Sequence, residues 1–198
     1  MIKHSDQRVG VFVDIQNMYY SAKNIYNSKV NFGEILKTAI AGRKLIRAIA
    51  YVIRAEAPDE QSFFGALSKQ GFEVRMKDLQ VFLGGQKKGD WDVGVAIDAI
   101  RLSSKLDVVV LVSGDGDFIP MVEYLKNSGL QVEVIAFQKS CSSKLIESAD
   151  DFIDLCLDEG KYLLRNGKKS FSLRRLVNPI QRAPKPRQTI ELSNKPRH

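Results

Sequence analysis

The stretch VLVSGDGDFIPMV, Val110 to Val122, ends an aliphatic run in two carboxylates one residue apart, Asp115 and Asp117, set among Ser113, Gly114 and Gly116. Two unit charges about 4 Å apart at an effective dielectric of about 20 repel by about 4 kcal/mol. Such a pair persists where protons or cations neutralise it, and the hard divalent ions Mg²⁺ and Mn²⁺ prefer oxygen ligands of this kind. Both glycines are expected to let the backbone turn sharply, aiming the two side chains at one point. Asp14 closes the apolar run RVGVFVD, and Asp92 opens a helical pattern in KKGDWDVGVAID, behind the basic Lys87 and Lys88. Asp98 lies six residues past Asp92, roughly 240° around a helix, so the two do not point at one ion. Asp98 is left as support for the site or as a surface partner of Arg101, and Asp90 as a candidate N-cap. The histidines, His4 and His198, lie near the termini, and Cys141 and Cys156 have no metal-binding spacing. Histidine catalysis and thiolate metal sites are therefore poor candidates.

The elements that must hold these acids read as strand then helix, repeated. After the first strand, Met18, Ala22 and Ile25 fall at helical spacing, and Phe32, Ile35, Leu36 and Ala39 mark a second helix stopped near Gly42. KLIRAIAYVIR, Lys44 to Arg54, reads as a strand buried on both faces. Pro58 opens a helix carrying Phe63, Phe64 and Leu67, with Gly71 as its stop. EVRMKDLQVFL reads as strand or hairpin, and Val93, Ile97 and Ile100 line one face of the helix behind Asp92. LDVVVLV is a strand, Pro120 to Leu125 a helix ended by Gly129, LQVEVIAF a strand, Ser142 to Ala149 a helix, and FIDL a last short strand. Aliphatic runs alternating with amphipathic helices indicate an α/β fold, a mainly parallel sheet covered on both faces. Such sheets bind ligands outside the carboxyl ends of their strands, where strand order reverses. Were the strands ending at Asp14 and Val112 neighbours, three carboxylates would meet in one crevice.

Charge divides the chain. Residues 160–198 carry eleven Lys or Arg and the single acid Glu191, a balance of +10, so residues 1–159 hold −3 of the overall +7. An acidic body (1–159) with a basic, proline-containing and disordered tail (160–198) is the expected organisation, and the tail points to nucleic acid or another anionic surface. No run approaches the roughly 18 to 20 apolar residues of a membrane span. The N-terminus shows no signal-peptide pattern. Two cysteines make no disulfide scaffold, which suggests reduced thiols and a cytoplasmic protein.

VFVDIQNMYY, KGDWDVGVAIDA, VSGDGDFIPMV and SSKLIESADDFIDL, in this order and spacing, resemble the NYN domain of the LabA-like group, within the PIN-like superfamily of metal-dependent ribonucleases. The resemblance covers about Val9 to Leu155. It implies a three-layer sandwich with sheet order 3-2-1-4-5, which makes the first and fourth strands neighbours. It also assigns residues. Asp14 matches the first catalytic aspartate and Asn17 its neighbouring asparagine, Asp92 the central acid, and Asp115 and Asp117 the pair after the fourth strand. Ser113 matches the small hydroxyl residue before that pair, and Asp150 the aspartate of a late motif. The implied activity is hydrolysis of RNA phosphodiester bonds. Mg²⁺ or Mn²⁺ on Asp14, Asp92, Asp115 and Asp117 would activate water and stabilise charge on the phosphate. Asn17 would hold water or a phosphate oxygen, and Lys87 and Lys88 would attract the RNA backbone. Trp91, Tyr19, Tyr20 and Phe118 are candidate stacking platforms for single-stranded RNA. A homodimer is a further expectation from the family, with no interface pattern in the sequence to support it.

Other readings fit less well. Capping of the helix before Pro120 needs one aspartate, not four acids. Toprim-type nucleases have Glu where this chain has Asp14, and haloacid-dehalogenase-like phosphatases need Asp where it has Gln16. The competing reading is a weakly active or silent domain that binds RNA or protein as a regulator.

Overall fold

The computed structural model describes residues 3–54, 60–81 and 87–164. The expected helix start at Pro58, the end of the Glu73–Leu83 segment and the tail beyond Leu164 lie outside them.

Six strands form one parallel sheet: β1 Arg8–Asp14, β2 Lys44–Arg54, β3 Glu73–Asp78, β4 Val108–Val112, β5 Gln131–Ala136 and β6 Asp151–Asp154, in the order 3-2-1-4-5-6. The expected five-strand order holds, and β6 extends it at the edge. Strand residues alternate between two cores. Val9, Val11 and Val13 of β1 and Val108, Val110 and Val112 of β4 face helices α1 Ile15–Tyr26, α2 Phe32–Ile40 and α3 Glu60–Lys69. Phe12, Val109 and Leu111 face α4 Asp92–Leu102, α5 Ile119–Asn127 and α6 Ser143–Ser148. This two-sided burial is why the strands read as unbroken aliphatic runs. The result is a three-layer sandwich.

Folded structure continues past Glu159. A short helix, Glu159–Tyr162, buries Tyr162, and Leu163–Leu164 pair antiparallel with Lys29–Val30. A second small ribbon joins Gln80–Val81 to Lys87–Lys88.

Helix α4 departs from the expected orientation. Val93, Ile97 and Ile100 are 69%, 49% and 36% exposed, while Val95, Asp98 and Ala99 are buried. The polar anchors explain the roll. Trp91 donates its Nε1–H to the Val52 carbonyl at 2.8 Å. Asp98 accepts from the buried Tyr51 hydroxyl at 2.9 Å and pairs with Arg75 at 3.3 Å. A phenol buried in β2 needs an acceptor, and Asp98 supplies it. It is neither a partner of Arg101 nor a member of the acid crevice. The position before α4 is Trp91, with no side-chain cap, so Asp90 is not the N-cap.

Candidate metal centre

The chain leaves β1 for β2 and β3 on one side, then returns to β4 on the other, so strand order reverses between β1 and β4. Val13 pairs with Val112, which brings Asp14 level with Ser113 at the carboxyl ends of the two strands. Asp14 caps α1, accepting the Asn17 N–H at 3.0 Å. Fully buried Ser113 joins the halves of the crevice: its Oγ donates to Asp14 Oδ2 at 3.5 Å and accepts the Asp115 N–H at 3.2 Å. Asn17 Oδ1 accepts the Gly114 N–H at 2.9 Å. The asparagine thus fixes the acidic loop through its carbonyl oxygen, a part not foreseen from sequence.

The loop glycines also serve another purpose than expected. Neither adopts positive φ; the positive-φ glycines among the described residues are Gly42, Gly71 and Gly129. A Cβ on Gly114 would lie 3.0 Å from Cys141 Cα, and one on Gly116 2.9 Å from Ser142 Oγ. The loop is pressed against the segment after β5, where Ser142 N–H donates to the Gly114 carbonyl at 2.9 Å. Asp115 then caps the following turn by accepting the Asp117 N–H at 3.0 Å.

One carboxylate oxygen from each of Asp92, Asp115 and Asp117 lies within 4.8 Å of the others. Asp14 stands beside this trio. Burial pushes its carboxyl up to about 6 against the opposing Asn17 N–H, and the charges of Asp92 and Asp115 push the same way. Asp92 is likewise pushed up to about 6, by burial first and then by Asp115, Asp90 and Asp117, with Lys77 opposing. The donor set fits a hard divalent cation: oxygen ligands only, converging, and strained by their own like charges.

Lys77 was not singled out in the sequence, where a lone lysine near a strand end carries no signal. Its Nζ donates to the Asp90 carbonyl at 3.3 Å and lies 5.8 Å from the Trp91 ring centroid, so it sits beside Asp92. The side chains of Lys87 and Lys88 lie outside the described residues. Phe118 is buried in the core, which removes it as a stacking platform, and half-buried Trp91 is anchored to β2 through its Nε1–H. Tyr19 and Tyr20 are half-buried and line a small cleft of about 20 Å³ with Ile15, Gln16, Phe63 and Phe64, on the helix that Asp14 caps. Asp150 accepts the Val132 N–H at 2.8 Å and pairs with Lys126 at 3.0 Å. Val132 is the second residue of β5, so Asp150 belongs to the opposite end of the sheet.

A parallel three-layer sandwich with carboxylates at the β1/β4 switch defines the PIN-like class. The sequence profile of the NYN domain matches residues 8–157, and the chain belongs to this family, in its LabA-like group. It is 27% identical over 163 residues to the low amplitude and bright protein LabA of Synechococcus elongatus, across 75% of this chain and 83% of that one. An uncharacterised protein of Methanocaldococcus jannaschii is 26% identical over 160 residues, covering 77% of this chain but 57% of the relative. A solved protein of unknown function from Vibrio parahaemolyticus superposes with a TM-score of 0.75 at 33% identity, across 83% of this chain and all of that one (100%).

Proposed function

We propose that this chain is a metal-dependent endoribonuclease acting on single-stranded RNA. The observation that carries the reading is the convergence of Asp92, Asp115 and Asp117 beside Asp14, at the strand ends where parallel sheets place their ligands. These four acids would hold Mg²⁺ or Mn²⁺, which supplies Lewis acidity to a phosphoryl oxygen and activates water for attack. The chain's own residues do the positioning. Ser113 and Asn17 lock the two acid-bearing strand ends together, so the carboxylates need no rearrangement when substrate arrives. Lys77, beside Asp92, and Lys88, four residues before it in sequence, would draw a phosphate towards the acids. The basic residues beyond Leu164 would add sequence-independent phosphate contacts.

The test is cleavage of a circular single-stranded RNA by the full chain with Mn²⁺ or Mg²⁺, since a circle has no end for an exonuclease. Linearisation is expected, abolished by EDTA and reduced on the order of 100-fold or more by Asp14→Asn, Asp92→Asn or Asp115→Asn. No cleavage in either metal, with Mn²⁺ binding also absent by calorimetry, would instead support the regulatory reading.

A further inference from the structure

A groove opens between α4 and α5, and two of its lining residues are Asp92 and Asp117 of the acid cluster. Buried Met121 and half-buried Ala96 form its floor; Ile100 and Tyr124, the latter 52% exposed, form its rim. Its cavity volume is about 380 Å³, within the range of about 300 to 1,000 Å³ usual for small-molecule sites. None of its described lining residues is a cation. The groove therefore suits a flat apolar ring better than a phosphate. It also gives a use to the outward roll of α4, which leaves an apolar face on the surface.

We propose that this groove binds the unpaired base adjoining the phosphodiester at the acid cluster, with the base stacked on Tyr124. The inference rests on the nuclease reading and deepens it. A phosphodiester at Asp92 and Asp117 has a nucleoside on each side, and the groove starts at those two acids. A base paired in a duplex has its faces covered by neighbouring pairs, so the groove selects single strands. Tyr19 and Tyr20, on the helix that Asp14 caps, are left for the opposite side of the scissile bond.

The test uses fluorescence anisotropy of a labelled single-stranded octanucleotide with Mn²⁺, on the full chain carrying Asp14→Asn to suppress cleavage. Adding Tyr124→Ala, or Ala96→Leu to fill the floor, is expected to weaken binding at least about five-fold, as loss of one stacked base does. Tyr124→Phe keeps the ring and should retain affinity. Melting midpoints control for folding, and Tyr124 is exposed enough that its truncation should leave them unchanged. Undiminished binding in both groove variants overturns the proposal. So does a wild-type dimer that dissociates on Ile97→Asp, outside the groove, because the apolar face then belongs to a second copy. RNA held at Tyr124 but never cut would remove the nuclease reading and keep this one. Cleavage indifferent to Tyr124→Ala would do the reverse.

Discussion

Ser113 touches both halves of the crevice from a fully buried position, so its hydroxyl has a calculable value. Ser113→Ala would leave the Asp115 N–H without its acceptor and Asp14 Oδ2 without the Ser113 hydroxyl, at a cost of about 1–3 kcal/mol. Chemical denaturation should show this loss. RNA cleavage should also fall, because Asp115 is no longer tied to Asp14. The acids themselves make a second prediction. Asp14 and Asp92 are held at about 6, above the roughly 3.9 of an unfolded aspartate. Between about pH 4 and 6 the folded chain therefore binds more protons than the unfolded one, and its stability falls as pH rises through that window. In EDTA the protein should melt at a higher temperature at pH 5 than at pH 7.5. Asp107, held down at about 2 chiefly by its hydrogen bonds with Arg8, acts below this window and does not reverse the sign. Asp92→Asn should raise the melting point at pH 7.5 and shrink the difference between the two pH values. A midpoint that climbs from pH 5 to 7.5 in EDTA would contradict the assignment.

Strand β5 carries an ion network at the other end of the sheet from the acids. Glu133, fully buried, accepts from Arg43 Nη1 and Nη2 at 2.7 and 2.9 Å, from Gln131 at 2.8 Å and from Lys3 at 3.1 Å. Arg43 also donates to the Ala39 carbonyl, which ties the end of α2 to β5. Arg43→Leu leaves a buried carboxylate short of its main partner and should cost about 3–5 kcal/mol, seen as a lower denaturation midpoint. Metal binding by the folded protein should be unaffected, since the network is remote from Asp92 and Asp115. None of this was legible in the sequence, because the two residues stand 90 positions apart and each alone reads as an ordinary surface charge. The strands were legible, because burial on both faces writes an unbroken run such as VVVLV. Asp14, Asp115 and Asp117 were legible too, because a carboxylate ending such a run has no packing use. The roll of α4 was not. Periodicity shows that a helix has an apolar face, but only the buried Tyr51 hydroxyl and the Trp91 ring decide that Asp98 turns inward. The role of Gly114 was hidden likewise, since the obstacle a side chain would meet is Cys141, on another loop.

Over the whole molecule, the crevice and the chain's charge pull in opposite directions. Residues 1–159 hold −3 and include the Asp92, Asp115 and Asp117 cluster, where the proposed function puts the phosphate, whereas residues 160–198 hold +10. Without a metal, the crevice repels RNA. With one, local attraction begins at short range, screened over about 8 Å at physiological ionic strength. On the proposed function, capture at longer range would then fall to the basic residues beyond Leu164. Each phosphate neutralised on a single strand contributes about −0.7 to the slope of log affinity against log salt. Deleting residues 165–198 should therefore flatten that slope and weaken binding most at low salt. Cleavage of saturating RNA should stay close to that of the full chain, because the four aspartates and the α4–α5 groove are untouched. Anisotropy titrations from 50 to 300 mM KCl (about a six-fold span), beside kcat for both chains, would check it. An unchanged slope would place the phosphate contacts on the folded body, with Lys77 as the first residue to substitute. A collapsed kcat with an intact slope would place the tail in the crevice during catalysis, not on the approach to it.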